Sequence, residues 1–249
     1  MNIEVNKDAA QIKLVDKWQS YVESNPTKES MIMTQSWREA ISVSELIRKR
    51  YKEKGVLGSE DFTVECVISN RAVPFTFAKG ERVRFTKNDY ARNFTNGALG
   101  TVTDIERVND DIYFSIVLDN GDKTRFKKSE YSDEHGRLYL AQAYVSTIYS
   151  SQGATVDGDT FLFYNSRMDR ALSYVAGSRH KDNCHWFVNR EEVESLVSDQ
   201  SQVLEEEQII ELMSRNMDID RKNSFALEYL EANEKELSNS NRIVSELTH

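Results

Sequence analysis

The sequence predicts an α/β protein with an antiparallel β-barrel inserted into it and a C-terminal helical tail. Three observations support this class. Residues 6–54 read as helix, strand and helix, residues 62–140 contain short alternating strands joined by tight turns, and the α/β pattern returns from Tyr144. A barrel placed inside an interrupted α/β sheet is the simplest arrangement of these stretches. We therefore divide the chain into residues 1–75, 76–140, 141–198 and 199–249.

The first part opens with a helix, because apolar residues recur there at helical spacing: Ile12, Val15, Trp18 and Val22. Residues 31–33 are a Met-Ile-Met run that is too short for a helix and typical of a buried strand. Ser36 and Glu39 then form a capping box, in which each side chain accepts a hydrogen bond from the backbone N–H of the other residue. The helix that follows is predicted to end at Gly55.

Residues 62–140 have the pattern of a small antiparallel barrel. Apolar residues alternate at period two from Phe62 to Ile68, and again at Val83 and Phe85. The dipeptides at 96–97 and 120–121 are both Asn-Gly, a hairpin signal. Several short strands with tight turns and no helical stretch indicate a barrel.

The α/β pattern then resumes and gives way to an acidic tail. We predict strands at 144–148, 160–164 and 186–188, and a helix from Met168 to Gly177. Residues 199–249 are rich in acidic residues, with apolar positions spaced as in helices. These helices are expected to pack on the body of the protein or on another polypeptide.

Composition restricts the class of protein. With 39% hydrophobic and 29% charged residues the chain is expected to be globular and soluble. No apolar run approaches the roughly 20 residues of a membrane span, so no membrane partner is expected. Cys66 and Cys184 lack the spacing of a zinc site or a disulfide framework. We therefore predict no metal site and a reducing cytoplasm as the location.

The net charge of −9 is unevenly distributed. Residues 191–249 contain 15 acidic and 5 basic residues, whereas residues 1–190 contain 26 acidic and 27 basic residues. Within the neutral part, residues 79–92 carry five bases against two acids, with Phe85 and Tyr90 among them. Positive charge beside aromatic rings is the composition that a single-strand groove needs. A solvated β-surface is the alternative interpretation of the same residues.

Several motifs, in order, resemble the helicase region of TraA-type conjugative relaxase–helicases, with TraI and the RecD-like superfamily 1B helicases as wider relatives. They are Ala78-Lys-Gly-Glu-Arg-Val-Arg-Phe-Thr-Lys-Asn-Asp89, Asn96-Gly-Ala-Leu-Gly-Thr-Val102, Ser151-Gln-Gly-Ala-Thr-Val-Asp157 and Met168–Asp182. The last two stand in the places of helicase motifs V and VI. The matched stretch covers more than a third of the chain.

The resemblance implies a second RecA-like motor domain, interrupted by an SH3-like barrel. In such motors ATP and Mg²⁺ lie between two RecA-like domains, and the first domain brings the phosphate loop. This chain contains no Gly-Lys dipeptide, so that loop is absent, and no Walker B strand is evident. We therefore expect no appreciable ATPase activity from the chain alone. The implied partners are single-stranded DNA and an N-terminal helicase or relaxase domain, or a separate chain that supplies it.

The resemblance also implies roles for single residues. Arg179 stands in the motif VI position and is the expected arginine finger; the alternative is a surface arginine stabilised at a helix end. Gln152, Gly153 and, more weakly, Arg170 are the other expected ATP-binding residues, although Arg170 could instead pair with Asp169 or Asp182. The expected DNA-binding residues share hydroxyl, cationic or aromatic side chains: Thr147, Ser151, Thr155, Arg82, Arg84, Lys87 and Tyr90.

Two departures from the family pattern lie beside these motifs. Tyr149-Ser150 stand where the family has His-Lys, and Lys181 stands where it tends to have a second arginine. Three function classes stay open at this point. They are the DNA-translocating half of a conjugative helicase, an ATP-independent single-strand-binding module, and a vestigial or interaction fragment of a split helicase gene.

Overall fold

The structure, a computed structural model, describes residues 1–68, 70–92, 94–197 and 204–220. The strands are β1 (Asn2–Glu4), β2 (Glu29–Thr34), β3 (Phe62–Ile68), β4 (Arg71–Phe77), β5 (Arg82–Phe85), β6 (Leu99–Val108), β7 (Asp111–Leu118), β8 (Lys123–Lys127), β9 (Leu140–Gln142), β10 (Val145–Thr147), β11 (Gly158–Phe163) and β12 (Cys184–Asn189). The helices are α1 (Lys7–Ser24), α2 (Trp37–Glu53), α3 (Arg170–Gly177), α4 (Arg190–Glu194) and α5 (Glu206–Met217).

A parallel sheet with the strand order β1-β12-β11-β2-β10 is the centre of one part of the molecule, which we call the parallel unit. All six residues of the central strand β11 are buried, because helices cover both faces of the sheet. One core contains residues of α1 and α2 with Ile32, Phe161 and Phe187. The other contains Met33 and Leu162 with residues of α3, α4 and α5. The predicted α/β class is confirmed.

The capping box and the helix end that the sequence predicts in the first part are present in the structure. The backbone N–H of Ser36 donates to the Glu39 carboxylate at 3.0 Å, and the N–H of Glu39 donates to the Ser36 hydroxyl at 3.3 Å. The capping box therefore starts α2, and Gly55 follows its end with φ at +68°. Strand β1, which pairs with β12, was not anticipated from the sequence.

An antiparallel part, residues 62–142, is inserted between α2 and β10, and we call it the antiparallel module. It contains a five-stranded sheet in the order β8-β7-β6-β5-β9 and the hairpin β3-β4. Its core is aromatic: the rings of Phe85 and Phe94 lie 4.0 Å apart, and those of Phe114 and Phe126 stack at 5.8 Å. The second Asn-Gly turn joins β7 to β8 as predicted, with φ of +90° at Gly121. The SH3-like label for this module stays a prediction.

The packing leads us to propose a different division of the chain. Strands β3 and β4 contribute Phe62, Val64, Phe75 and Phe77 to the antiparallel core, and β4 crosses the predicted boundary at residues 75 and 76. Likewise β9 crosses the boundary at 140 and 141 and pairs with β5. We therefore propose boundaries near residues 60 and 143, because a boundary should not cut a hydrogen-bonded strand.

The predicted helix at Met168 begins two residues later than expected. Asp169 is the residue before α3, and its carboxylate accepts a hydrogen bond from the Leu172 N–H at 2.9 Å. Of the predicted acidic tail, α5 packs on the body of the protein through the fully buried Ile209 and Met213. The tail residues at 199–203 and 221–249 lie outside the described residues.

Candidate nucleic-acid and nucleotide site

The loop after β10, residues 148–156, carries the Gln-Gly pair, and we call it the Gln-Gly loop. Thr147, just before it, is 5% exposed, and its hydroxyl donates to the Ser150 hydroxyl at 3.0 Å. Ser151 is 1% exposed, and its hydroxyl donates to the Ile148 carbonyl at 2.7 Å. Both hydroxyls thus shape the loop from inside. The role of Thr147 and Ser151 as phosphate donors stays a prediction, and in this structure both side chains are buried and bound within the loop.

The outer residues of the loop are open to solvent. Gln152, Gly153 and Thr155 are exposed. Gly153 has φ of +84°, and a Cβ added there would meet no atom within 4 Å, so the glycine is required by its backbone conformation and leaves space above it. A ligand can therefore approach the backbone closely at Gly153.

Arg179 follows α3 and is half-buried. Its guanidinium donates to the carbonyls of Val175, at 2.9 Å, and Ala154, at 3.2 Å, and to the Ser178 hydroxyl at 2.9 Å. It forms no ion pair within the part of the chain that the structure describes. Arg179 thus caps the last turn of α3 and joins it to the Gln-Gly loop, as the helix-end interpretation predicts. Its role as an arginine finger stays a prediction.

Arg170 has a different partner from either expected acid. Its guanidinium binds the Asp218 carboxylate at 3.0 Å and the Asp218 carbonyl at 2.8 Å. Asp169 is occupied as the cap of α3, and Asp182 pairs with Lys28 at 3.3 Å. The pairing connects the start of α3 to the segment after α5, and this segment had no recognisable relation to motif VI in the sequence.

A cleft of about 600 Å³ lies between the Gln-Gly loop and α3. Its lining is mostly apolar and includes Gln152, Arg170 and the exposed rings of Tyr149 and Tyr174. The structure therefore brings Gln152 and Arg170 together, whereas Arg179 lies beside the cleft and does not line it.

A second concavity, of about 570 Å³, lies where the antiparallel module meets the parallel unit, and we call it the joint groove. It is lined by residues of both parts: Trp37, Val67, Ile68, Asn70, Arg84, Thr86, Asn96, Gly97, Tyr139 and Ser150. Ser150 belongs to the Gln-Gly loop and Arg84 to β5. The groove thus joins two motifs that are more than 60 residues apart in the sequence.

Arg84 is the principal charge of the joint groove. Burial lowers the pKa of Arg84, and among the described residues its guanidinium forms no hydrogen bond or ion pair. The next cation, Lys87, is exposed and lies 4.4 Å above the centre of the Tyr139 ring. A withdrawn guanidinium without a protein acceptor can receive an anion, and phosphate suits its planar fork.

Arg82 and Tyr90, which were also predicted to bind DNA, do not line the joint groove. Arg82 forms two hydrogen bonds with the Asp119 carboxylate, at 2.6 and 2.8 Å. These bonds raise the pKa of Arg82 and lower that of Asp119. Tyr90 is 79% exposed, and its hydroxyl accepts a hydrogen bond from Asn88 at 3.1 Å. The prediction that Arg82 binds DNA stays untested by these contacts, which show that its charge is already paired with Asp119.

Sequence reasoning missed Trp37 and Tyr139 as groove residues. Trp37 lies between the two residues of the capping box, and its half-buried ring packs against the cores of both parts of the molecule. Tyr139 precedes β9, whose pairing with β5 brings it near Lys87. The position of Trp37 could have identified it as a groove residue, because it is an aromatic residue in the first turn of the helix that precedes the inserted module.

The comparisons with known proteins identify relatives of this chain. It is 29% identical over 183 residues to a probable conjugal transfer protein TraA of Sinorhizobium fredii, which covers 74% of the chain and 15% of that protein. It is 30% identical over 175 residues to TraA of Agrobacterium fabrum, which covers 70% of the chain and 14% of the relative. The chain is a homologue of part of TraA. It spans about one seventh of the length of these TraA relatives.

A helicase is also among the relatives. The chain is 35% identical over 109 residues to the ATP-dependent DNA helicase Pif1 of Bdellovibrio bacteriovorus, over 40% of the chain and 24% of that protein. The predicted resemblance to TraA-type helicases is thereby confirmed. A crystal structure of Bacteroides Pif1 helicase in complex with ADP-AlF3 and ssDNA is 16% identical, with a TM-score of 0.46, over 94% of this chain and 55% of that one. No family model matches the sequence.

Two searches of the described residues complete the site. No group of three or more His, Cys, Asp and Glu side chains is arranged to hold a metal ion in the part that the structure describes. No helix in the same residues is both long and apolar enough to traverse a bilayer.

Proposed function

We propose that this TraA homologue is the C-terminal half of an ATP-dependent DNA helicase or translocase of conjugative DNA transfer. It binds single-stranded DNA and supplies Arg179 to an ATP site that an N-terminal motor domain completes. That domain belongs to the same polypeptide or to a separate chain. The proposed location is the bacterial cytoplasm.

The joint groove is the observation that carries the DNA half of the proposal. Arg84 lines the groove and has no ionic partner among the described residues, and Lys87 lies over the ring of Tyr139, which also lines it. Trp37 and Tyr139 are half-buried aromatic residues of the lining that would stack on bases without sequence preference, and Thr155 stays an exposed donor on the neighbouring loop. Phosphate contact with stacking describes a single strand better than a duplex, whose bases are paired inside.

The residues fit only part of a nucleotide. Gln152 is exposed and the backbone at Gly153 is open, so both can meet a phosphate, but the chain has no phosphate loop to cradle one. ATP with Mg²⁺ would supply the phosphoryl transfer, held largely by the other motor domain. Arg170 would join that site only after release from Asp218.

Fluorescence anisotropy with a labelled oligothymidylate of about 16 nucleotides tests the DNA half. We expect weak binding that falls steeply with salt. Replacing Arg84 and Lys87 together by Ala should weaken binding and flatten the salt dependence. Arg125→Ala is the matched control, because it removes a cation of β8 that pairs with Glu106 outside the groove. Equal affinity for all three proteins, or stronger loss in the control, would overturn the assignment of the groove.

A second function, an ATP-independent single-strand-binding module, is favoured by one observation. All three hydrogen bonds of the Arg179 guanidinium go to its own chain, as expected of a structural residue. Adding the phosphate-loop domain of a TraA relative to this chain separates the two functions. DNA-stimulated ATP hydrolysis that falls steeply in Arg179→Lys supports the composite motor, because lysine keeps the charge without the planar fork. Hydrolysis that is unchanged in Arg179→Lys supports the module.

A further inference from the structure

A buried ionic cluster connects the two parts of the molecule beside the joint groove. Arg48 of α2 donates from Nε to the Glu81 carboxylate at 2.9 Å and from Nη2 to the Asp61 carboxylate at 2.7 Å. Lys52, one turn further along α2, binds the other oxygen of Asp61 at 2.7 Å. Glu81 is fully buried and Arg48 is 8% exposed. Helix α2 is thereby tied to the residue that precedes β5.

Further contacts hold Glu81 in place from other directions. The same carboxylate oxygen accepts a hydrogen bond from the Ala78 N–H at 3.2 Å, and the Glu81 carbonyl accepts one from Val102 of β6 at 2.9 Å. Tyr144, which precedes β10, accepts a hydrogen bond from the Arg82 N–H at 3.4 Å. Burial raises the pKa of Glu81, and Arg48 opposes that rise. Elements of both parts therefore meet at one carboxylate.

A buried ionic cluster often stabilises a fold no more than apolar residues of similar volume would. Charged hydrogen bonds differ from apolar packing in being directional. Glu81 stands three residues before Arg84 and directly precedes β5, the strand that contains Arg84. The position of Glu81 therefore constrains that of Arg84, which lines the joint groove together with Trp37 and Ser150 of the parallel unit.

We propose that Glu81 and Arg48 are positioning residues for single-strand binding, because they hold the antiparallel module at the orientation in which both parts line the joint groove. The ligand in this statement rests on the proposed function. The orienting role rests on the contacts alone and can be measured without DNA.

The experiment compares variants of the full chain by the distance between two spin labels and by oligothymidylate anisotropy. Labels at Lys17→Cys in α1 and Asn120→Cys in the β7–β8 turn report the two parts, in a Cys184→Ser background. Both label sites are exposed. The test variant is Glu81→Gln, which keeps the shape of the side chain and removes its charge. The control is Asp133→Asn, which removes an ion pair with Arg137 inside the antiparallel module.

We expect Glu81→Gln to shift or broaden the label distance and to weaken oligothymidylate binding roughly tenfold. Asp133→Asn should lower the melting temperature and leave both readouts as in the parent. An unchanged distance and affinity in Glu81→Gln, whatever its melting temperature, would overturn the proposal.

A second variant covers the case in which Glu81→Gln does not fold. Arg48→Met combined with Glu81→Leu replaces the whole pair by apolar side chains and removes the buried unpaired charge. A stable double variant with altered distance and weakened binding supports the positioning role, whereas parental distance and affinity refute it. If the parent itself binds no oligothymidylate, the proposed function and the binding half of this proposal fail, while the label distances still decide the orienting half.

Discussion

Arg84 of the joint groove and Arg179 beside the Gln-Gly loop differ in the hydrogen bonds that their guanidinium groups form. Arg84 in the groove is half-buried and has no acceptor among the described residues. Arg179 is also half-buried, but its guanidinium donates to the Val175 and Ala154 carbonyls and to the Ser178 hydroxyl. Burial without an acceptor costs free energy, which an arriving anion can recover. An arginine bound to main-chain carbonyls already stabilises the fold. The comparison supports our proposal that Arg84 receives an anionic ligand, and it shows that Arg179 already contributes hydrogen bonds to the fold.

Arg48 is buried and paired with carboxylates of the protein, and its substitution has the largest expected effect on stability. Arg48→Met would leave Glu81 buried without its countercharge, which costs about 3–5 kcal/mol of unfolding free energy. Urea denaturation at neutral pH measures this loss. A change below about 1 kcal/mol would show that the cluster is hydrated in solution and that buried charge does not dominate there.

Arg179→Ala should have the next largest effect on stability. It removes hydrogen bonds to the Val175 and Ala154 carbonyls, and we expect a loss of roughly 1–3 kcal/mol. Hydrogen exchange should accelerate in the Gln-Gly loop, which would lose its connection to α3. Ser178→Ala, which removes only the hydroxyl partner, is the control. Stability and exchange equal to those of the parent would mean that Arg179 is free to serve a ligand.

Arg84→Ala should change the unfolding free energy by no more than about 0.5 kcal/mol, or should raise it, because the side chain has no hydrogen-bond or ionic partner among the described residues. Thermal denaturation with and without oligothymidylate is the measurement. In the parent, the ligand should raise the melting temperature more than in the variant. Strong destabilisation without ligand would contradict the comparison, since it would require an interaction of Arg84 within the protein.

The smallest effect concerns Asp119, which pairs with Arg82. Hydrogen bonds from Arg82 hold the pKa of Asp119 below its unfolded value, so the pair stabilises the fold above that unfolded value, about 3.9. The contribution is lost as the pH falls through the lower folded pKa. Asp119→Asn should flatten the stability profile in this acidic range by less than about 1 kcal/mol, because the pair is exposed. Urea midpoints between pH 5 and pH 2 compare the two proteins, and parallel profiles would contradict the pairing.

Sequence reasoning succeeded where the determining interactions are local. The capping box at Ser36 and the turn at Gly121 depend on residues within three or four positions, so their pattern is legible in the sequence. The partner of Arg170 was not, because Asp218 lies 48 residues away and α5 must first pack on the sheet. The burial of Thr147 and Ser151 also escaped prediction, since hydroxyl residues look alike in sequence whether they face a ligand or a neighbouring carbonyl.

The sheet order has a consequence for synthesis on the ribosome. Among the described residues, strand β2 pairs with β10 and β11, and β1 pairs with β12. Residues 1–54 therefore have no strand partners there until more than 90 further residues have emerged. The antiparallel module is complete by residue 142 and pairs its strands within itself. It therefore folds before the early and late strands of the parallel sheet can pair. Until the parallel sheet is complete, helices α1 and α2 lack most of the strands on which they pack.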